Sequence, residues 1–243
     1  MFAKPICICA LLMVALATGK DSAYAAETPD SLIPFDKLDA AAQARVRRVV
    51  PGYTFYRNVP MPKPALRARY DIFRHLISNL DQCSLVARSL KIEDSRRERR
   101  PDGSYFGDNH KGTSGYLWPL RSAPGEELYF GEGTDKQADS DSGRAILLFH
   151  YREIQPGLLQ CNLHGFVQVD GAFRRFCAYL FRPFIMGIVD SHLREVVDTP
   201  MLVAEEATAH PDKILGLIDA MPPTDAAKLK EFRALLAKPA AKS

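Results

Sequence analysis

AFRRFCAYLFRPFIMGIVDSHLREVVDTPMLVAEEATAH, residues 172–210, decides how this chain reads. Phe173, Phe176, Cys177, Leu180, Phe184, Ile188, Leu193, Val196 and Val197 recur at offsets that place them on one helical face. Arg174, Arg175, Arg182, Asp190, Arg194 and Glu195 fall largely between them. Pro183 and Pro200 each remove a backbone donor, which predicts a kink or break near each. The reading is one long, bent amphipathic helix late in the chain.

Just before it lie the two most strand-like runs, GRAILLFHYREI (143–154) and LLQCNLHGFVQV (158–169), joined by Gln155-Pro156-Gly157. Alternation puts Ala145, Leu147, Phe149 and Tyr151 on one face, with Leu159, Cys161, Leu163 and Val167 of the partner. Arg144, His150, Arg152, Gln160, Asn162, His164 and Gln168 take the other face, which is expected to be wetted; Ile146 and Leu148 blur it. Further back, short runs from Lys91 are separated by Pro101-Asp102-Gly103, His110-Lys111-Gly112 and Ala123-Pro124-Gly125, the punctuation of an antiparallel meander. Pro119 marks an edge or a bulge, and RRERR (96–100) reads as a solvated edge strand.

Nearer the start, residues 65–78 carry Leu66, Tyr70, Phe73, Leu76 and Ile77 at helical offsets. Asn79 or Asp81 can cap a second short helix through Ser89. YTFYRNV (53–59) reads as a strand and PMPKP (60–64) as an extended connector. Residues 36–50 form a helix capped by Asp36 or Asp39 and stopped by Pro51-Gly52. At the far end, residues 210–223 give a short helix stopped by Pro222 and Pro223. Thr224 opens a last exposed or docking helix before a frayed KPAAKS.

The first 26 residues read as a signal peptide: Lys4, an apolar run to Ala17, then Ala23, Ala25 and Ala26. The apolar run is shorter than the about 20 residues a membrane span needs. Export to a periplasm or the exterior follows. Cleavage leaves one domain (27–221) and a C-terminal helix and tail (222–243). The whole chain has net charge +3 and 47% hydrophobic residues. Neither a basic face nor a nucleic-acid motif is present, so nucleic acid is not an expected partner. Cys83, Cys161 and Cys177 remain after cleavage, and three cannot all pair. Buried free thiols are the default, with a Cys161–Cys177 bridge as the alternative.

Strand, two helices, about six antiparallel strands and a long Phe-rich helix: that order, over residues 53–210, resembles the START-like (SRPBCC, helix-grip) superfamily. The resemblance implies an α+β fold in which a curved antiparallel sheet grips the C-terminal helix over an apolar cavity. It also implies a lipid or other hydrophobic ligand, no cofactor, and for some members cyclase or assembly roles. The export signal, the helix over 36–50 and the tail depart from the pattern.

Tyr116 and Trp118 share a strand face. With Leu147, Phe149, Tyr151, Leu163, Leu180, Phe181 and Phe184 they form the expected ligand lining, although a filled core would use the same residues. AFRRFCAYLFRPF mixes arginines with aromatics, a surface able to touch anionic lipid headgroups transiently, or simply a solvated helix face. Asp102, Asp108 and His110 lie among glycines, where hairpin turns explain them more simply than metal or proton chemistry. ADSDSG (138–143) lacks the remaining ligands of a calcium loop. His150 and His164 lie on neighbouring strands, but the sequence leaves their register open. The leading expectation is an exported, monomeric binding or carrier protein for a lipid or similar apolar molecule. The alternatives are an enzyme of the same fold using His110 with Asp108 or Tyr116, and a non-catalytic cell-envelope interaction protein.

Overall fold

The computed structural model describes residues 29–60, 65–110, 112–135, 141–170 and 182–238. The chain divides into two compact units, residues 1–34 and 35–243. The first contributes one short described helix, α1 (Pro29–Leu32). The expected signal peptide lies outside the described residues. No helix among the described residues is long and apolar enough to cross a membrane.

The second unit is α+β. It opens with a 3-10 turn (Phe35–Lys37) and α2 (Ala40–Arg47). Of the two candidate caps it is Asp39 that serves, its Oδ1 accepting from Ala42 N at 2.7 Å. Next come β1 (Phe55–Pro60), β2 (Leu66–Arg67), α3 (Tyr70–Ser78) and α4 (Leu80–Ser89). The helix expected over 65–78 therefore starts later. Leu66 and Arg67 instead pair with Leu159 and Leu158 at the open end of a neighbouring strand, a long-range contact that overrides local helical spacing. Asn79 caps the first helix of the pair rather than the second: its Nδ2 donates to His75 O at 2.9 Å.

The meander follows as β3 (Arg96–Arg99), β4 (Tyr105–Asp108), β5 (Thr113–Ala123), β6 (Glu126–Asp135), β7 (Asp141–Gln155) and β8 (Leu158–Val169). Together with β1 and β2 they make one eight-stranded antiparallel sheet of order β1-β8-β7-β6-β5-β4-β3, with β2 also on β8. The charged β3 ends the sheet, as expected, and the register slips between Pro119 and Arg121, the bulge that proline predicts.

The long helix is α5 (Arg182–Ala209), which runs through Pro200 without a break. Leu193, Val197, Met201, Val203, Ala204 and Ala207 are buried along it. A Cβ on Gly165 of β8 would lie 3.0 Å from Leu193, which shows how closely helix and sheet approach. Helices α6 (Pro211–Asp219), α7 (Pro223–Lys228) and α8 (Lys230–Leu236) end the chain. They are not a loose appendix: Leu229, Phe232 and Leu236 belong to the main core. Arg69 ties them down by donating to the Leu235 and Lys238 carbonyls while its guanidinium pairs with Asp71.

Both faces of the sheet are covered. On the helix face Tyr129, Leu147, Phe149, Tyr151, Cys161 and Leu163 pack with α3, α4 and α5. The outer face was expected to be wetted, yet Leu128, Phe130, Ile146, Leu148 and Phe166 are fully buried there. Helix α2 closes it: Arg45 lies over the Trp118 ring at 4.8 Å and Arg48 over Phe130 at 5.6 Å, while Val46 and Val49 are fully buried.

Candidate functional site

Directly opposed residues of paired strands point to the same side of a sheet, so the register sorts the expected ligand-lining residues. Trp118 opposes Phe130, and Phe130 opposes Ile146. Phe149 instead opposes Glu127 and Leu163. Tyr116 and Trp118 are thus on the outer face, while Leu147, Phe149, Tyr151 and Leu163 are on the helix face. The sheet separates the two groups. Leu180 and Phe181 lie outside the described residues, as does the side chain of Phe184, near the start of α5.

On the helix face the expected residues meet side chains that sequence spacing did not single out. Tyr151 packs against Tyr70 and Phe73 of α3, with ring centroids 5.6 and 5.3 Å away. Tyr129 meets Phe149 edge-on at 6.3 Å. Three sheet side chains hold the α3–α4 junction. Tyr129 Oη donates to Ile77 O at 2.6 Å, Tyr105 Oη donates to Ser78 O at 3.0 Å, and Ser78 Oγ donates to Glu127 Oε1 at 2.6 Å. Ser122 Oγ donates to the same carboxyl oxygen at 2.7 Å. Burial raises the Glu127 carboxyl above its ordinary range, against the lowering effect of the Ser78 and Ser122 hydroxyls. This half of the face is filled, and its polar atoms position α3.

The other half is different. Gly107 opposes Gly115, Gly115 opposes Gly133, and Gly133 opposes Gly143. Four adjacent strands therefore present a row with no side chains on the helix face. The next row is also small at Gly131 and Ala145. At Gly115 the residue type is required, because a Cβ would sit 2.5 Å from Glu132 O where β5 and β6 crowd together. At Gly107 it is not: a Cβ would meet nothing closer than Arg97 Cγ at 3.9 Å. Each glycine stands in a different strand, so only the register reveals the row.

The remaining sequence candidates resolve into structure. Asp102 Oδ1 accepts from the backbone and hydroxyl of Ser104, and Asp108 Oδ1 accepts from His110 N at 2.7 Å, both within turns. Cys83 and Cys161 are buried free thiols, each pushed up to about 12 by burial, which leaves them unreactive. Cys177 lies outside the described residues. At the α5–α6 turn a hollow of about 350 Å³ is lined by Glu206, Ala209, His210, Pro211, Asp212 and Lys213, far in sequence from the expected lining.

No family model and no curated protein matches the chain. Among solved structures it is similar to a conserved protein from Geobacillus kaustophilus at 12% identity and TM-score 0.48, over 63% of this chain and 97% of that one. It is also similar to a protein from Rhizobium leguminosarum at 15% identity and TM-score 0.39, over 63% and 96% of the two chains. A third, from Thermus thermophilus, stands at 10% identity and TM-score 0.35, over 62% and 99%. At these scores the likeness is loose and assigns neither a family nor a function.

Proposed function

We propose that this chain is an exported helix-grip protein that binds a lipid or other hydrophobic small molecule on the helix face of its sheet. The ligand rests over the glycine row, with the segment leading into α5 closing it from above. The observation that carries the reading is the contrast along one face. Phe149, Tyr129 and Tyr151 fill one half, whereas Gly107, Gly115, Gly133 and Gly143 leave the other without side chains. Removing apolar ligand surface from water supplies the affinity, at roughly 25 cal/mol per Å². The sheet needs no polar group there beyond those that fix orientation.

The test is native mass spectrometry of protein exported from cells and purified without detergent, followed by solvent extraction. A discrete added mass that extracts as lipid is the expected result. A clean unliganded mass, with no uptake from a panel of fluorescent lipids, would overturn the reading. Sequencing the N-terminus of the same sample tests export. The first residue is expected just after Ala25 or Ala26, and an intact Met1 would contradict it.

A further inference from the structure

A second site lies on the opposite face of the sheet, independent of the ligand proposal. Glu126 of β6 directly opposes His150 of β7, and His150 opposes Asn162 of β8. His164 opposes Leu148, which places it diagonally beside His150 on the same face. The register that the sequence leaves open thus brings two imidazoles and a carboxylate together. The rings of His150 and His164 are 5.3 Å apart at 65° to one another. The Nε2 atom of His150 lies 3.7 Å from Glu126 Oε2.

We propose that His150, His164 and Glu126 form a binding site for a divalent transition ion of the zinc class. A zinc–nitrogen bond of about 2.05 Å puts each imidazole centre roughly 3.2 Å from the metal. Two centres 5.3 Å apart then subtend roughly 110° at a shared ion, the tetrahedral angle. Adjacent ligand atoms of such a tetrahedron are roughly 3.4 Å apart, close to the 3.7 Å between His150 and Glu126. As the side chains stand, no three His, Cys, Asp or Glu among the described residues meet at one point. A small rotation of the Glu126 carboxylate supplies the third contact, and water supplies the fourth.

The surroundings fit that role. Tyr56 Oη lies 3.0 Å from His164 Nδ1, which leaves Nε2 as the ligating nitrogen and holds the ring in place. Arg121 Nε donates to Glu126 Oε1 at 2.6 Å and so orients the carboxylate with Oε2 toward His150. Its positive charge opposes a cation, but it occupies the other carboxylate oxygen. His164 is 4% exposed while the His150 side chain is 38% exposed, so an ion enters from the His150 side.

The test titrates untagged full-length protein, as exported, with Zn²⁺ against a chromogenic chelator, and with Co²⁺ followed by its visible bands. One equivalent of Zn²⁺ and the intense bands of tetrahedral cobalt are expected. Tyr56→Phe should weaken Zn²⁺ by about 10- to 100-fold, and His150→Ala by more. His150 is partly exposed, so that variant keeps its fold, and circular dichroism checks it. Unchanged Zn²⁺ affinity in His150→Ala, failure of the wild type to bind, or an octahedral cobalt spectrum would each overturn the site.

Discussion

At one end of the helix face Tyr129, Phe149 and Tyr151 stack on α3; at the other, the strands present Gly107, Gly115, Gly133 and Gly143. The first end is a protein interior in the ordinary sense, close-packed and with its polar atoms tied to a helix terminus. The second has a backbone floor. The difference teaches that a single sheet face can serve two purposes. Stability is concentrated where side chains interlock, and this leaves the glycine end open to a ligand.

Substitutions should separate the two ends. The largest effect belongs to the packed end. Phe149→Ala deletes a fully buried ring and should cost about 3–5 kcal/mol in urea unfolding. At the glycine end, Gly115→Ala forces a Cβ to within 2.5 Å of Glu132 O and should cost about 1–3 kcal/mol. The same alanine at Gly107 should cost less than about 1 kcal/mol, because its Cβ meets only Arg97 Cγ and Arg96 O, near 4 Å. Equal losses at Gly115 and Gly107 would break the distinction between crowded and open glycines.

A pH series sharpens the packed end further. Burial raises the Glu127 carboxyl above its ordinary range, so the folded chain holds that proton more tightly than the unfolded chain. The resulting stabilisation is fully present in acid, below the unfolded value of about 4.3. It is lost as pH rises through the higher folded value. Glu127→Gln should flatten that decline in urea midpoints measured across the interval. A slope equal to wild type would show that Glu127 does not carry it. The smallest effect concerns the cover on the outer face. Asp39→Ala removes the α2 cap at about 1 kcal/mol. Because Trp118 is the sole tryptophan, its emission should report the loosening of Arg45 above it.

Much of this architecture is legible in the sequence, and the failures share a cause. Gln155-Pro156-Gly157, the alternation through β7 and β8, and the apolar spacing of Leu193 and Val197 are local signals, and the corresponding elements form. What local spacing cannot convey is register. Alternation puts Tyr116 with Trp118 and Phe149 with Tyr151, but only strand pairing shows that the two pairs face opposite ways. The glycine row and the His150–His164 pair are hidden for the same reason. Ile146 and Leu148 did signal a covered outer face. Helix α2 did not, because beneath its arginines it buries only small or branched side chains such as Ala42 and Val46.

The most direct test of a ligand over the glycine floor is a paired measurement on Gly107→Val: uptake of a fluorescent fatty-acyl probe alongside urea stability. The added isopropyl group fills the floor where the backbone has room for it. The account predicts that stability stays within about 1 kcal/mol of wild type while uptake falls at least tenfold. Wild-type uptake in a stably folded Gly107→Val protein would contradict it.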